Sequence, residues 1–285
     1  MCGRDKVAFI QRDMTMEFFR GLFDSNAPPE AIWPYGFGEP MLHPQLFEFI
    51  RFAKSRGSVV SMSTNGTLLN EPGARKLLRS GLDYLIIAFD GATPATYSQY
   101  RRGASFDGVL GRVDRFLELK REEGSRLHVT LQMIRMRLNN GEIGLFKRMW
   151  RRPGVDRIRI REDLSERHKK AGGRLRPCFF LWRGPLFIQA AGTVIPCPYY
   201  HGAEPFGDLN VQPIEEVWNS PRFSRLRQAH VDGEMSEFPV CAACPRYQPH
   251  PVIAAASFFV TTRLVRRLLP IVEEVQRRLH LTLFE

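Results

Sequence analysis

Between residues 30 and 160 the sequence alternates short apolar runs of strand length with amphipathic stretches of helical period. The predicted strands are an apolar run from Ala31 into the glycines of 36–40, followed by 59–64, 84–89, 128–134 and 155–160. The predicted helices are 14–24, 44–56, 70–80, 106–123 and 141–150. This alternation is typical of parallel strands joined by crossover helices, so we expect an α/β fold.

Polar or glycine-rich segments follow three of the predicted strands. They are Gly36 to Pro40, Thr64-Asn65-Gly66 and Asp90-Gly91. In parallel α/β folds the carboxyl ends of the strands form the binding edge, so these segments are candidate ligand contacts. Each segment taken alone also fits an ordinary solvated turn.

Four cysteines in the last part of the chain form a candidate metal site. Cys178 and Cys197 have 18 residues between them, and 43 more precede the pair Cys241-Ala-Ala-Cys244. Four thiolates complete the ligand set of one iron–sulfur cube or one structural zinc ion. The unequal gaps are less typical of zinc ribbons, yet spacing alone leaves both metals open.

The composition indicates a globular protein with one large and one smaller domain, because 44% of its 285 residues are hydrophobic. It contains no apolar run long enough to cross a bilayer, and its start has no apolar segment, so we expect a cytoplasmic location. In that reducing compartment clustered cysteines favour metal binding over disulfides. The net charge of +11 comes from scattered arginines, so we expect no nucleic-acid partner; an anionic substrate or contact with a membrane surface stays open.

Taken together, the segments after the strands resemble the motifs of the radical S-adenosylmethionine (SAM) superfamily. The segment from Gly36 to Pro40 is similar to its methionine-binding motif, and Met1-Cys2-Gly3-Arg4 to the end of its Cys-x3-Cys-x2-Cys cluster motif. The resemblance implies a partial (β/α)6 TIM-like barrel whose first strand is missing from the chain. It also implies the following SAM-binding residues: Gly36, Gly38, Glu39, Pro40, Thr64, Asn65, Asp90 and Arg101.

Two residues of this barrel carry separate expectations. Ala88 occupies a position where the family often has a serine. Arg161, near the end of the last predicted strand, is our candidate catalytic residue, which would bind or deprotonate a substrate hydroxyl; the alternative is a solvated surface arginine.

Cys2 would be the third cysteine of the cluster motif, so the chain as printed begins inside that motif. Either translation starts upstream of Met1, or the chain is a truncated and inactive relative; we favour the first explanation. We expect the chain as printed not to cleave SAM, because one thiolate cannot hold the catalytic cluster.

The C-terminal cysteines are similar to those of the auxiliary iron–sulfur domain called SPASM. No cysteine follows Cys244, which fits its shorter single-cluster form, called twitch. The resemblance implies one [4Fe–4S] cluster on Cys178, Cys197, Cys241 and Cys244. We therefore expect a truncated barrel over 1–162, a SPASM/twitch domain over 163–250 and an amphipathic helical tail over 251–285.

The activity that the resemblance implies is formation of a 5′-deoxyadenosyl radical from SAM and abstraction of hydrogen from a substrate. The cofactors are SAM and a second [4Fe–4S] cluster, and the electron donor is a flavodoxin or ferredoxin. The lead hypothesis is oxidation or epimerisation of a sugar or aminocyclitol. The alternatives are a peptide-modifying maturase and a non-catalytic iron–sulfur electron-transfer protein, with peripheral membrane contact through the tail.

Overall fold

The computed structural model describes residues 12–163, 178, 180–200 and 204–244. The chain divides into two compact units; of the described residues, the first contains 19–163 and the second contains 12–18 and those from 178 to 244. The expected domain limits at 162/163 and 250/251 stay predictions. Cys2, residues 164–177 of the expected SPASM/twitch domain, and the expected helical tail lie outside the described residues.

The first unit is built on a five-stranded parallel sheet with the order β1-β2-β3-β4-β5. The strands are β1 Ala31–Ile32, β2 Val59–Thr64, β3 Tyr84–Ala88, β4 His128–Arg135 and β5 Arg157–Glu162. The helices are α1 Met16–Asp24, α2 Leu46–Ser55, α3 Glu71–Leu78, α4 Pro94–Tyr100, α5 Phe106–Glu122 and α6 Ile143–Trp150, with 3-10 helices at Pro40–Leu42 and Asn140–Glu142. The predicted α/β fold is confirmed.

Alternate residues of each strand face opposite sides of this sheet. One side packs against helices and is fully buried; it includes Val60, Met62, Leu85, Ile87, Val129 and Leu131, each 0% exposed. The ring of Phe89 continues this side and contacts Tyr97, Phe106 and Trp150 on three helices. The opposite side carries Ser61, Ser63, Ile86, Thr130, Gln132 and the arginines of β5, and is called the inner face below.

Two elements depart from those predicted. Helix α4 is a short stretch that the periodicity does not indicate; Thr93 caps it and Pro94 occupies its first turn. Strand β5 begins two residues later than predicted, directly after Asp156, whose side chain accepts a hydrogen bond from the Val129 amide at 2.7 Å and pairs with Lys120.

The second unit contains a small antiparallel sheet and four short helices among its described residues. The strands are β6 Phe187–Ile188, β7 Thr193–Ile195 and β8 Gly207–Asp208; the helices are α7 Phe180–Arg183, α8 Ile214–Trp218, α9 Pro221–Asp232 and α10 Pro239–Ala242. Their core includes Leu181, Val194, Ile195, Tyr200, Phe206, Val217, Phe223, Leu226 and Phe238. The region therefore has more regular structure than expected, notably α9, which Ser220 caps.

Across the part of the chain that the structure describes, every helix is too short or too polar to cross a membrane.

Candidate functional site

Glu39 joins the carboxyl ends of two neighbouring strands. Its Oε1 accepts hydrogen bonds from Thr64 Oγ1 at 2.7 Å and from the Met41 amide at 3.2 Å, and its Oε2 accepts one from the Asn65 amide at 2.8 Å. A carboxylate has about four acceptor positions, so about one remains, on Oε2, for a ligand donor. The structure thus brings the Glu39 segment and the Thr64-Asn65 turn together at one edge of the sheet.

The chain around Glu39 folds sharply for local reasons. Gly38 has φ +103, in the region that favours glycine, and an added Cβ at Gly36 or Gly38 would meet nothing within 4 Å. Pro40 then begins a 3-10 helix whose first turn Glu39 caps. The backbone of both glycines is therefore open to a ligand that approaches Glu39.

Asp90 and Arg101 lie after β3 and bind each other. Arg101 Nη2 lies 2.6 Å from Asp90 Oδ2, and Asp90 Oδ1 accepts a hydrogen bond from the Ile134 amide at 2.7 Å. Asp90 is 1% exposed, so its carboxylate is enclosed by the loops that follow β3 and β4. No hydrogen bond between described residues joins this pair to Glu39, and their assignment to SAM binding stays a prediction.

Two residues that sequence analysis did not single out hold the same loops. The Asn139 side chain, 0% exposed, donates to the Asp90 and Ile134 carbonyls and accepts from the Met136 amide. Glu142 accepts from Ala92 N at 2.7 Å and from two threonine hydroxyls. Burial acts to raise the pKa of Glu142, but these hydrogen bonds outweigh it and hold that pKa below its usual value. Asn139 follows a turn and offers no periodic pattern, which is why the sequence did not reveal it.

The inner face of the sheet is curved. Strands β1 and β5 lie at opposite edges, yet Tyr35, three residues beyond β1, lies close enough to Arg161 and Arg159 on β5 for their charges to act on it. Partial burial raises the pKa of the Tyr35 phenol, and the two guanidinium groups oppose that rise. A flat sheet would separate the two edge strands too far for this interaction, so the inner face is concave.

Arg161 therefore lies where a ligand in the concave face would meet it. It pairs in register with Ile134, near the carboxyl end of β5. A catalytic role for Arg161 stays a prediction.

The second unit gathers the four C-terminal cysteines around one end of its core. Cys178 precedes α7, Cys197 follows β7, and α10 carries Cys241, whose carbonyl accepts from the Cys244 amide at 3.1 Å. Cys178, Cys197 and Cys241 pack against the apolar core of this unit. Gly192 forms the turn between β6 and β7 with φ +93 and so directs β7 toward Cys197.

The electrostatics show that these thiols are neighbours. Burial raises the pKa of the Cys241 thiol to about 12, and the other three cysteines add to the rise. Four thiolates held this close would repel one another, so a bound cationic metal centre would stabilise their ionised form.

Comparison with known families agrees with both units. The family model for the Radical SAM superfamily matches residues 11–149, and that for an iron-sulfur cluster-binding domain, SPASM, matches residues 177–245. The chain belongs to the radical SAM superfamily. It carries a SPASM domain, and the cofactors of these two domains are SAM and [4Fe–4S] clusters.

Several curated relatives align over much of the chain. A tungsten-containing aldehyde ferredoxin oxidoreductase cofactor-modifying protein of Pyrococcus furiosus is 23% identical, over 80% of this chain and 78% of the relative. A PqqA peptide cyclase of Gluconobacter oxydans is 28% identical over 67% of this chain, which spans 63% of that relative. A PqqA peptide cyclase of Streptomyces rochei is 24% identical over 79% and 71%.

Solved structures of two radical SAM proteins share the fold. SuiB of Streptococcus suis bound to S-adenosylmethionine has a TM-score of 0.58 at 11% identity, over 84% of this chain and 64% of SuiB. BtrN in complex with AdoMet and 2-DOIA has a TM-score of 0.54 at 16% identity, over 86% of each chain. The predicted partial TIM-like barrel is thereby confirmed.

Proposed function

We propose that the chain provides the cofactor- and substrate-binding parts of a radical SAM enzyme whose substrate is a peptide, bound at the concave inner face of the barrel unit. The observation that carries the proposal is the position of Glu39. Its carboxylate is fixed by three hydrogen bonds from β2 and the 3-10 helix and keeps one acceptor position open toward a ligand ammonium group.

The cofactors, when bound, supply hydrogen abstraction from a substrate carbon. The protein's part is to orient the cofactor and the substrate. Gly36 and Gly38 leave the backbone open beside Glu39, and Thr64 and the Asn65 amide hold the carboxylate in one orientation. A carboxylate fixed in this way loses little conformational entropy when it receives a ligand donor.

Exposed apolar residues near the carboxyl ends of the strands favour a peptide substrate over a sugar. Trp33 and Tyr35, 44% and 43% exposed, follow β1; Leu42 and Leu138, 70% and 48% exposed, follow Glu39 and β4. Exposed apolar groups at a binding edge are typical of interaction surfaces and suit an extended peptide. The relatives named as PqqA peptide cyclases support the same substrate class.

The four cysteines of the second unit would ligate every iron of one cube and leave none open. Such a cluster cannot bind substrate through iron, so we propose that it transfers electrons or stabilises its domain.

The test compares the protein reconstituted anaerobically with iron and sulfide, both as printed and extended upstream in its gene. We expect about four irons in the printed chain and about eight in the extended one, one cube per site. Glu39→Gln places an amide donor against the Asn65 or Thr64 donor, so SAM affinity should fall at least about tenfold, equivalent to about 1.4 kcal/mol. Glu48→Gln, the same change on the exposed side of α2, should leave SAM affinity unaltered.

The substrate class is tested with the extended protein, SAM, a reductant and synthetic peptides encoded beside its gene. We expect 5′-deoxyadenosine to form with a peptide and the peptide mass to fall or its side chains to be cross-linked. Turnover with an aminocyclitol and with none of the peptides would contradict the peptide proposal while retaining the superfamily chemistry.

A further inference from the structure

Gln132 is a buried amide whose side-chain oxygen has no hydrogen-bond partner among the described residues. The residue is 7% exposed, and its Oε1 is fully buried without a hydrogen-bond partner among the described residues. A buried amide oxygen that accepts no hydrogen bond destabilises a folded protein, because it has lost water without replacement. A ligand with a suitable donor would remove that cost.

The position of Gln132 directs this amide into the concave face. Its strand partners are Ala88 on β3 and Arg159 on β5, and its neighbours in sequence, Leu131 and Met133, are both 0% exposed on the helix side. Alternation along β4 therefore points Gln132 inward. Beside this amide, Ala88 presents only a methyl group.

The guanidinium group of Arg161 lies on the same face, nearer the carboxyl ends of the strands. Arg161 pairs with Ile134, two residues beyond Gln132 on β4, so it lies diagonally across from Gln132. Within the described part of the chain no carboxylate forms an ion pair with Arg161. Tyr35 approaches Arg161 from the opposite edge of the sheet and, since burial raises the pKa of its phenol, retains its proton at neutral pH.

We propose that Gln132, Arg161 and Tyr35 form a subsite for an acidic residue of the substrate peptide. This inference rests on the proposed function and specifies its substrate class. Gln132 Oε1 accepts from a peptide N–H, its amide donates to a peptide carbonyl, and Arg161 binds the adjacent side-chain carboxylate with help from the Tyr35 hydroxyl.

The chemistry of the three groups selects this ligand over others. A primary amide is both donor and acceptor, which matches a peptide group and not a phosphate or an alkyl chain. A guanidinium binds a carboxylate through two parallel hydrogen bonds. An acidic residue within a peptide presents both groups side by side.

The test measures binding of two small probes without SAM turnover. The probes are N-acetyl-glutamyl-glycinamide and its glutaminyl twin, titrated by calorimetry into the reconstituted protein at low salt. We expect the acidic probe to bind at least about tenfold more tightly, and Arg161→Gln to abolish that difference. The control is Arg126→Gln, which removes an exposed arginine just before the amino end of β4, away from the carboxyl ends of the strands. This variant should retain the difference in affinity between the two probes.

A second variant separates a ligand contact from a packing residue. Gln132→Leu removes the unpartnered amide at similar volume, so the urea midpoint should rise by roughly 0.5 M while affinity for both probes falls. Thr130→Val, on the same face one layer away, should leave both affinities unaltered.

Three results would overturn the subsite: equal binding of the two probes to the unmodified protein, no binding of either probe, or a lower urea midpoint in Gln132→Leu with unchanged affinity. None of these readouts depends on SAM. Failure of the subsite would therefore leave iron content and SAM affinity intact, whereas failure of the proposed function would alter those two quantities.

Discussion

At the scale of single residues, a carboxylate near a binding edge can stabilise the fold instead of contacting a ligand. Asp90 and Glu39 both follow strands, and the sequence gives no means to tell them apart. The structure shows the difference. Glu39 keeps an acceptor position, while Asp90 is 1% exposed, pairs with Arg101 and accepts from the Ile134 amide.

Asp90→Asn is therefore expected to act on stability. The new amide keeps one acceptor for Ile134 but faces Arg101 with a donor and leaves that charge unpaired. Loss of a fully buried partner costs about 3–5 kcal/mol; Arg101 is 21% exposed, so we expect about 2–3 kcal/mol. Urea unfolding measures the change, with the exposed Asp107→Asn as control. Unchanged stability with lost SAM affinity would support cofactor binding by Asp90 instead.

At the scale of elements, one turn decides the shape of the small sheet in the second unit. Gly192 has φ +93, and a Cβ there would lie 2.3 Å from Asn210 Nδ2. Asn210 itself donates to the Ala191 carbonyl at 2.8 Å, so it cannot move without losing that bond. The glycine thus fixes how β6 turns into β7 before Cys197.

Gly192→Ala should destabilise the second unit by about 2 kcal/mol or more, through the clash and the positive φ. The iron content after reconstitution should fall together with the stability of the second unit. The control is Gly111→Ala inside α5, where an added Cβ meets nothing within 4 Å and the alanine should stabilise by about 0.5–1 kcal/mol. Full iron content in Gly192→Ala would show that the turn does not position Cys197.

Elements with strong periodicity were predictable, and elements defined by their caps were less so. Strand β2 and helix α5 match their predicted limits within a residue because apolar period and end signals coincide there. Helix α4 and helix α9 were not predicted, since α4 buries only Tyr97 and the 12 residues of α9 bury only two apolar side chains, Phe223 and Leu226. Gln132 could not be identified from sequence, because its significance comes from partners on two other strands.

At the scale of the whole molecule, the two units depend on different interactions. The described part of the first is stabilised by a parallel sheet and an apolar layer of helices. In the second, three of the four cysteines pack on a small apolar core, where the expected cluster would bind their thiolates. Loss of iron should therefore destabilise the second unit before the first.

Removal of iron by a chelator under reducing conditions is expected to speed amide hydrogen exchange in β6, β7 and α10 of the full chain by at least about tenfold. Exchange in β3 and β4 should change little. Mass spectrometry of the labelled peptides measures both regions in one sample. Equal loss of protection in β3 and β4 would show that the first unit also needs the metal.

The proximity of Tyr35 to the arginines of β5 can also be followed by ultraviolet absorption. Ionised and neutral phenols absorb at different ultraviolet wavelengths, so an alkaline spectrophotometric titration reports how near those guanidinium groups remain. Opening the sheet into a flatter form would withdraw that attraction and also relieve the burial that opposes it, so the difference between the titrations of the protein and of its Tyr35→Phe variant would register a change in the curvature of the barrel without any added dye.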